Sequence, residues 1–146
     1  MRLPIKNSQR WLLAALILVA SHVFAAPKAY VFVSFSMPEP LLIETLKDSA
    51  RFNVPAVLNG LHHNAMMETV NKISVLSQAI PSLQMQIDPT AFERFDIHQV
   101  PALVLENNGC FDVIYGHLSL QEGLSRMMRH GTCGVPRREL EEMRHA

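Results

Sequence analysis

The sequence predicts an α/β domain in which a mixed sheet is flanked by helices and ends in a β-hairpin and a C-terminal helix. Short runs rich in β-branched and aromatic residues alternate with segments whose apolar residues recur every three or four positions, as in parallel strands joined by helices. The turn sequence Asn107-Asn108-Gly109 joins two such runs directly and predicts an antiparallel pair. The 146 residues are 49% hydrophobic, with 13 basic and 13 acidic residues, which is typical of one globular domain.

The first strand is predicted over YVFVSF, beginning at Tyr30. Ser36 and Glu39 then stand at the S-x-x-E spacing of a capping box, which predicts the start of a helix. Pro38 and Pro40 are acceptable because they lie within or next to its first turn. The residues predicted to share the buried face of this helix are Leu42, Leu46, Ser49, Ala50 and Asn53.

A second short strand is predicted over residues 54–58, ending near Gly60. A second helix follows from Asn64 to about Ala79, with Glu68 and Lys72 as a charge pair four residues apart on its polar side. The apolar residues predicted to face the core from this helix are Met66, Val70, Ile73 and Ile80.

The alternating segment LQMQI predicts a third, half-buried strand. Asp88 as N-cap and Pro89 in the first turn predict a short helix through Phe95. The hairpin strands are ALVLE and CFDVIY, and the final helix is capped by Ser119 with Glu122 and ended by Gly131. The residues that this last helix is predicted to bury are Leu120, Leu124, Met127 and Met128.

The N-terminus has the features of a signal peptide. Three basic residues precede an apolar run at 11–20 that is short for a membrane span, and Val23 and Ala25 occupy the small-residue positions of a cleavage site. Cleavage is predicted after Ala25, with an uncleaved membrane anchor as the alternative. We therefore expect a signal peptide over 1–25, an exported domain over 26–135 and a charged, exposed tail over 136–146.

The charge balance and the two cysteines limit which partners and which cellular compartment are expected. Processing removes three basic residues and no acid, so the mature chain is acidic and has no basic cluster to hold a nucleic acid. Cys110 and Cys133 both remain in the exported part. The predicted strand after Cys110 and the predicted helix before Cys133 have similar lengths and run in opposite directions, which brings the two cysteines to the same level. A structural disulfide is therefore expected, with free thiols as the alternative.

Two segments resemble the thioredoxin-like superfamily: SFSMPEPLL, where a strand runs into a helix, and IDPTAFERFDIHQVPALVLENNG. In that superfamily an Ile-x-x-Val-Pro stretch precedes the hairpin, and Ile97, Val100 and Pro101 match it. The resemblance implies a cis bond before Pro101. Together with the signal peptide, the stretches VFVSFSMPEPLL, VPAVLNGL, QIDPTAFERF and VPALVLE are similar to the TrbC pilus-assembly proteins of type-F conjugative transfer systems.

The redox chemistry of the superfamily is not expected here. A thioredoxin-type enzyme needs two cysteines spaced C-x-x-C at the start of the first helix, whereas Met37 and Pro40 stand at those positions. His62 and His63, with His98, have no obvious cysteine or carboxylate to complete a metal site. The sequence therefore predicts no catalytic residue, no cofactor and no metal.

The resemblance implies a periplasmic, non-enzymatic assembly factor of the type IV secretion apparatus that builds the conjugative pilus. Its docking face is expected at Ser36, Met37, Pro38, Val100 and Pro101, with Met37 lining an exposed apolar groove. The implied partners are other proteins of the secretion system, such as pilin or a TraW-type protein, and the membrane is contacted only during export. The alternatives are a periplasmic thiol-disulfide oxidoreductase or isomerase and a purely structural subunit of the complex.

Overall fold

A computed structural model describes residues 26–135, together with 138, 141 and 142. The predicted signal peptide and most of the predicted tail lie outside the described residues. The strands are β1 (Lys28–Val33), β2 (Ala56–Leu58), β3 (Met85–Ile87), β4 (Ala102–Asn107) and β5 (Cys110–Tyr115). The helices are α1 (Glu39–Arg51), α2 (Met66–Ala79), α3 (Pro89–Arg94) and α4 (Leu120–His130), with a 3-10 turn at His62–Asn64. Within the described part of the chain, no helix combines the length and hydrophobicity needed to cross a membrane.

The five strands form one mixed sheet in the order β3-β2-β1-β4-β5. The pairs β1–β2 and β2–β3 are parallel, and the pairs β1–β4 and β4–β5 are antiparallel. Val31 of the central strand is paired with Ala56 on one side and with Leu103 on the other. The predicted α/β class and the mixed sheet are confirmed.

Alternate residues of β1 enter two hydrophobic clusters, one on each face of the sheet. Val31 and Val33 join the cluster that contains residues of α1 and α4, whereas Phe32 enters the cluster built with α3. Phe32 is fully buried and meets Phe92 edge to face, with 4.8 Å between ring centroids. The two-residue period of the strand thus gives both faces of the sheet a core.

Three local signals act as the sequence predicts. The Asp88 carboxylate accepts a hydrogen bond from the Ala91 N–H at 3.1 Å and caps α3, and the Ser119 hydroxyl accepts one from the Glu122 N–H at 3.3 Å and caps α4. Asn108 and Gly109 form the two-residue hairpin turn, with φ of 50° and 81°. Each of these signals is formed by residues within three positions of one another in the chain.

The predicted capping box of α1 is wrong. The helix begins at Glu39, with Pro38 in the N-cap position and no side-chain cap. The Ser36 hydroxyl is 2.8 Å from that of Ser34, in the turn that precedes the helix. The buried face also differs in part, because Thr45 is buried and Asn53 lies beyond the helix, exposed, with φ of 53°.

The predicted buried face of α2 is wrong at two positions. Met66 is 56% exposed and Val70 is 47% exposed, whereas Thr69 and Leu76 are buried. The Thr69 hydroxyl donates to the Ala65 carbonyl and accepts from the His62 N–H, both at 2.7 Å. Because the Thr69 hydroxyl has both a donor and an acceptor partner, its burial leaves no polar group unpaired. The face of α2 that contains Thr69 and Leu76 therefore faces the core, in place of the predicted face.

Candidate functional site

The predicted docking residues come from two segments that adjoin at one end of the sheet. The register that pairs Phe32 with Ala102 places the segment following β1 beside Val100 and Pro101. The Val100–Pro101 peptide bond is cis, which confirms the prediction. The structure thus brings the two predicted segments, residues 36–38 and 100–101, to the same end of the sheet.

The predicted exposure of Met37 is wrong. Its side chain is only 8% exposed and belongs to the hydrophobic core. The Met37 N–H donates to the Ser34 carbonyl at 3.2 Å, and the Ser34 N–H donates to the Met37 sulfur at 3.4 Å, so the turn folds this side chain inward. Ser36 and Pro38 are exposed on either side of it, Val100 is half-buried and Pro101 is buried.

A cavity of about 360 Å³ opens beside this turn, at the carboxyl ends of the parallel strands β1 and β2. Its lining residues are Ser34, Phe35, Ser36, Leu58, Asn59, Gly60, Leu61, His62 and His63. Ser36 is the one predicted docking residue among them. The segment after β2 was missed, although the rule that ligands bind beyond the carboxyl ends of parallel strands points to it.

Aromatic rings form one wall of the cavity. The Phe35 ring meets the His62 ring nearly edge to face, with 5.3 Å between centroids, and the Lys72 ammonium lies 4.9 Å from the centre of the Phe35 ring. Desolvation of the half-buried His62 lowers its pKa, and the nearby His63 and Lys72 lower that pKa further, while Glu68 opposes them. The surroundings of His62 therefore favour the neutral imidazole.

The two adjacent histidines lie side by side. Their rings are stacked, with 3.9 Å between centroids and 26° between planes. His63 adopts a left-handed backbone conformation, with φ 49° and ψ 29°, within the 3-10 turn. Its Nδ1 is 3.1 Å from Oε2 of Glu68 in the first turn of α2. Sequence reasoning found no carboxylate for these histidines, and the structure supplies one; His98 instead pairs with Asp96, at 2.9 Å.

The predicted disulfide is present in the structure. Cys110 and Cys133 are joined with an S–S distance of 1.99 Å and a Cα–Cα distance of 5.4 Å, and they are the two cysteines of the chain. Cys110 faces Asn107 at the end of β4 that is remote from Pro101. Five residue steps along β4 amount to about 17 Å. The sulfurs therefore lie at the opposite end of the sheet from the cavity.

Asp112 of β5 holds the segment that carries Cys133. Its carboxylate accepts hydrogen bonds from the Thr132 N–H at 3.0 Å, the Thr132 hydroxyl at 2.8 Å and the Cys133 N–H at 3.2 Å. Partial burial raises the pKa of Asp112, but these hydrogen bonds together outweigh that effect and hold the pKa below its usual value. This carboxylate and the disulfide tie the end of α4 to the hairpin.

Comparison with known proteins supplies the biological context. Residues 31–127 match the family described as type-F conjugative transfer system pilin assembly protein. The chain is also similar to the periplasmic protein TrbC of Escherichia coli (strain K12), with 35% identity over 105 residues, or 72% of this chain and 50% of the relative. It thus spans about half the length of that curated relative. No solved structure matches the chain.

Proposed function

Because the chain belongs to the TrbC family of type-F conjugative pilin assembly proteins, we propose that it is a periplasmic factor that binds other transfer-system proteins without redox catalysis. The family match is the observation that supports the role in pilin assembly. It extends from β1 into α4. That span includes the turn at 34–38, the cavity and the loop before β4.

Three observations support the periplasmic location. The relative from Escherichia coli is named a periplasmic protein. Residues 1–25 have the charge and hydropathy pattern of a signal peptide that is removed after Ala25. The Cys110–Cys133 bridge is a bond that persists in oxidising compartments such as the periplasm. In this proposal, residues 26–135 form the working domain and 136–146 a charged tail.

We include a thioredoxin-like frame in the proposal. The order β1-α1-β2, with parallel strands, followed by a short helix, a proline loop and an antiparallel hairpin, supports it. In such a frame the redox dithiol would stand near the start of α1. Here that region holds Ser34, Ser36 and the buried Met37, while both cysteines are bonded to each other at the far end of β4. A thiol-disulfide oxidoreductase, the alternative from sequence, lacks support from this placement.

The proposed binding surface consists of the exposed residues Ser36 and Pro38 and the half-buried Val100, and it continues into the cavity. An extended segment of a partner laid across this surface would contact the Phe35–His62 wall of the cavity. Pro101 and Met37 support the surface from below, since both are buried. Other proteins of the transfer system, such as pilin or a TraW-type protein, are the proposed occupants.

Complementation of a donor strain that lacks the gene tests this surface. Pro38→Asp adds a charge to the edge at the N-cap of α1, a position where Asp is favourable, so the domain is expected to fold. Asn108→Asp adds the same charge at the hairpin turn, at the opposite end of β4, and serves as the matched control. We expect the first variant to lose pili and DNA transfer and the second to retain both. Normal piliation with stably expressed Pro38→Asp protein would contradict the proposed surface.

A separate assay tests the absence of redox catalysis. The purified periplasmic protein is incubated with insulin and dithiothreitol, and disulfide reduction is followed by turbidity. We expect no turnover above the uncatalysed rate, because no cysteine lies at the start of α1. Catalysis that disappears in a Cys110→Ser, Cys133→Ser double variant would overturn this part of the proposal.

A further inference from the structure

We propose that His62, His63 and Glu68 bind a divalent zinc ion at the rim of the cavity. Their nearest ligand atoms, two imidazole nitrogens and one carboxylate oxygen, all lie within 4.8 Å of one another. Ligands bonded to Zn²⁺ at about 2.1 Å in tetrahedral geometry are about 3.4 Å apart. The three side chains are exposed or half-buried, so the packing leaves them room to rotate toward one ion.

Adjacent residues rarely place both side chains on one side of the chain, and the backbone here explains why these two are neighbours. The left-handed conformation of His63 turns the chain within the 3-10 turn and stacks its ring on that of His62. A non-glycine residue in this region is uncommon and occurs where the surroundings require it. Stacked rings direct their nitrogen lone pairs along nearly parallel lines, so zinc binding requires the two rings to rotate apart, which their partial exposure permits.

A hydrogen bond holds the histidine segment to the helix that carries the carboxylate. The His62 N–H donates to the buried Thr69 hydroxyl at 2.7 Å, one residue after Glu68 in α2. The Thr69 hydroxyl in turn donates to the Ala65 carbonyl. The backbone that presents the three ligands is therefore fixed before an ion arrives, which lowers the entropic cost of binding.

The donor set favours zinc over the hard cations. Two imidazoles and one carboxylate suit Zn²⁺, whereas Mg²⁺ and Ca²⁺ prefer oxygen ligands. Three protein ligands leave a coordination position for water or for an incoming group. Since His62 and His63 line the cavity, that position is accessible from the same space as the proposed binding edge.

Zinc titration of the periplasmic protein, purified without a histidine tag and stripped with chelator, tests the proposal. Calorimetry should show one site per chain, and Co²⁺ should give the absorption bands of a low-coordinate ion. His63→Ala and Glu68→Gln should each weaken Zn²⁺ binding at least tenfold. His98→Ala is the matched control, because His98 is exposed and pairs with a carboxylate outside the cluster, and it should leave the affinity unchanged.

The ¹⁵N resonances of the imidazoles give a readout that does not depend on variants. Adding Zn²⁺ to the unaltered protein should shift the ring nitrogens of His62 and His63 and leave those of His98 in place. Absence of Zn²⁺ binding, or shifts confined to other histidines, would overturn the site. Equal affinity in His63→Ala, Glu68→Gln and the unaltered protein would do the same, with melting curves confirming that the variants are folded.

Discussion

The Asp48 carboxylate, near the end of α1, accepts a hydrogen bond from the N–H of Leu120, the first residue of α4, at 2.6 Å. The two residues are 72 positions apart, so a helix that closes the domain is capped by one formed early in the chain. Ser119 caps the same helix through the Glu122 N–H. Two of the four unpaired N–H groups at this helix start are thereby satisfied.

Replacement of Asp48 by Ala should lower the free energy of unfolding by about 1–2 kcal/mol, because the Leu120 N–H then loses its partner. Urea denaturation at neutral pH measures the difference. Glu44→Ala is the control, since Glu44 is an exposed carboxylate on the same helix whose neighbour His117 is 3.6 Å away. A loss no larger than that of Glu44→Ala would show that this hydrogen bond contributes little.

Cys133→Ser should lower the free energy of unfolding by about 3–4 kcal/mol, the chain-entropy value for a bridge between cysteines this far apart. The two cysteines are separated by 23 positions. Reduction of the unaltered protein should lower its melting temperature by about as much as the Cys133→Ser substitution does. Thiol labelling of unfolded, unreduced protein provides the direct check, and full labelling of both cysteines would contradict the bridge.

Met37→Asp should destabilise the domain by about 3 kcal/mol or more, because the carboxylate would enter a side-chain site that is 8% exposed. Met37→Leu preserves volume and should cost less than about 1.5 kcal/mol. Thermal melting of the two variants distinguishes them. A fully folded Met37→Asp protein would mean that this side chain can leave the core and that the turn at 34–37 opens.

Asp112→Asn should remove stability that depends on pH. The pKa of Asp112 is lower in the folded protein than in the unfolded chain, so its contribution is present above the unfolded pKa of about 3.9 and is lost as the pH falls through the folded pKa. Unfolding at pH 7 should therefore show a deficit of about 2 kcal/mol for Asp112→Asn. The deficit should shrink below pH 4. Glu93→Gln, an exposed change on α3, is the control and should leave the free energy of unfolding at pH 7 nearly unchanged.

The processed protein should begin at Ala26, because Val23 and Ala25 meet the small-residue requirement of a signal peptidase. Intact-mass measurement of protein released from the periplasm decides the position. A species that retains Trp11 and fractionates with the membrane would indicate an uncleaved anchor.

Sequence reasoning succeeded for three local signals, although the equally local capping box at Ser36 and Glu39 was wrong. Asp88, Ser119 and the Asn108–Gly109 turn act through hydrogen bonds or φ values within three residues of themselves, and each lies where it was predicted. The face of α2 was mistaken because its apolar residues fit two neighbouring faces. Buried hydrogen bonds to Thr69 decide between them, and a hydropathy pattern does not record those bonds.

The candidate site was predicted in part for a similar reason. The resemblance located the turn after β1 and the cis-proline loop, but it did not show that the turn at Ser34 draws Met37 inward. The grouping of His62 and His63 with Glu68 depends on a left-handed histidine, a conformation that residue type alone does not predict. The burial of Met37 and the histidine–glutamate cluster both differ from the prediction because of the local backbone conformation.

The position of β1 has a consequence for the order in which the sheet is completed. Val31 pairs with Ala56 nearby in the chain, but its other neighbour, Leu103, is 72 residues further on. The central strand therefore keeps one open edge until β4 pairs with it. Long-range pairing of this kind slows folding, so completion of the sheet depends on the two halves of the chain meeting.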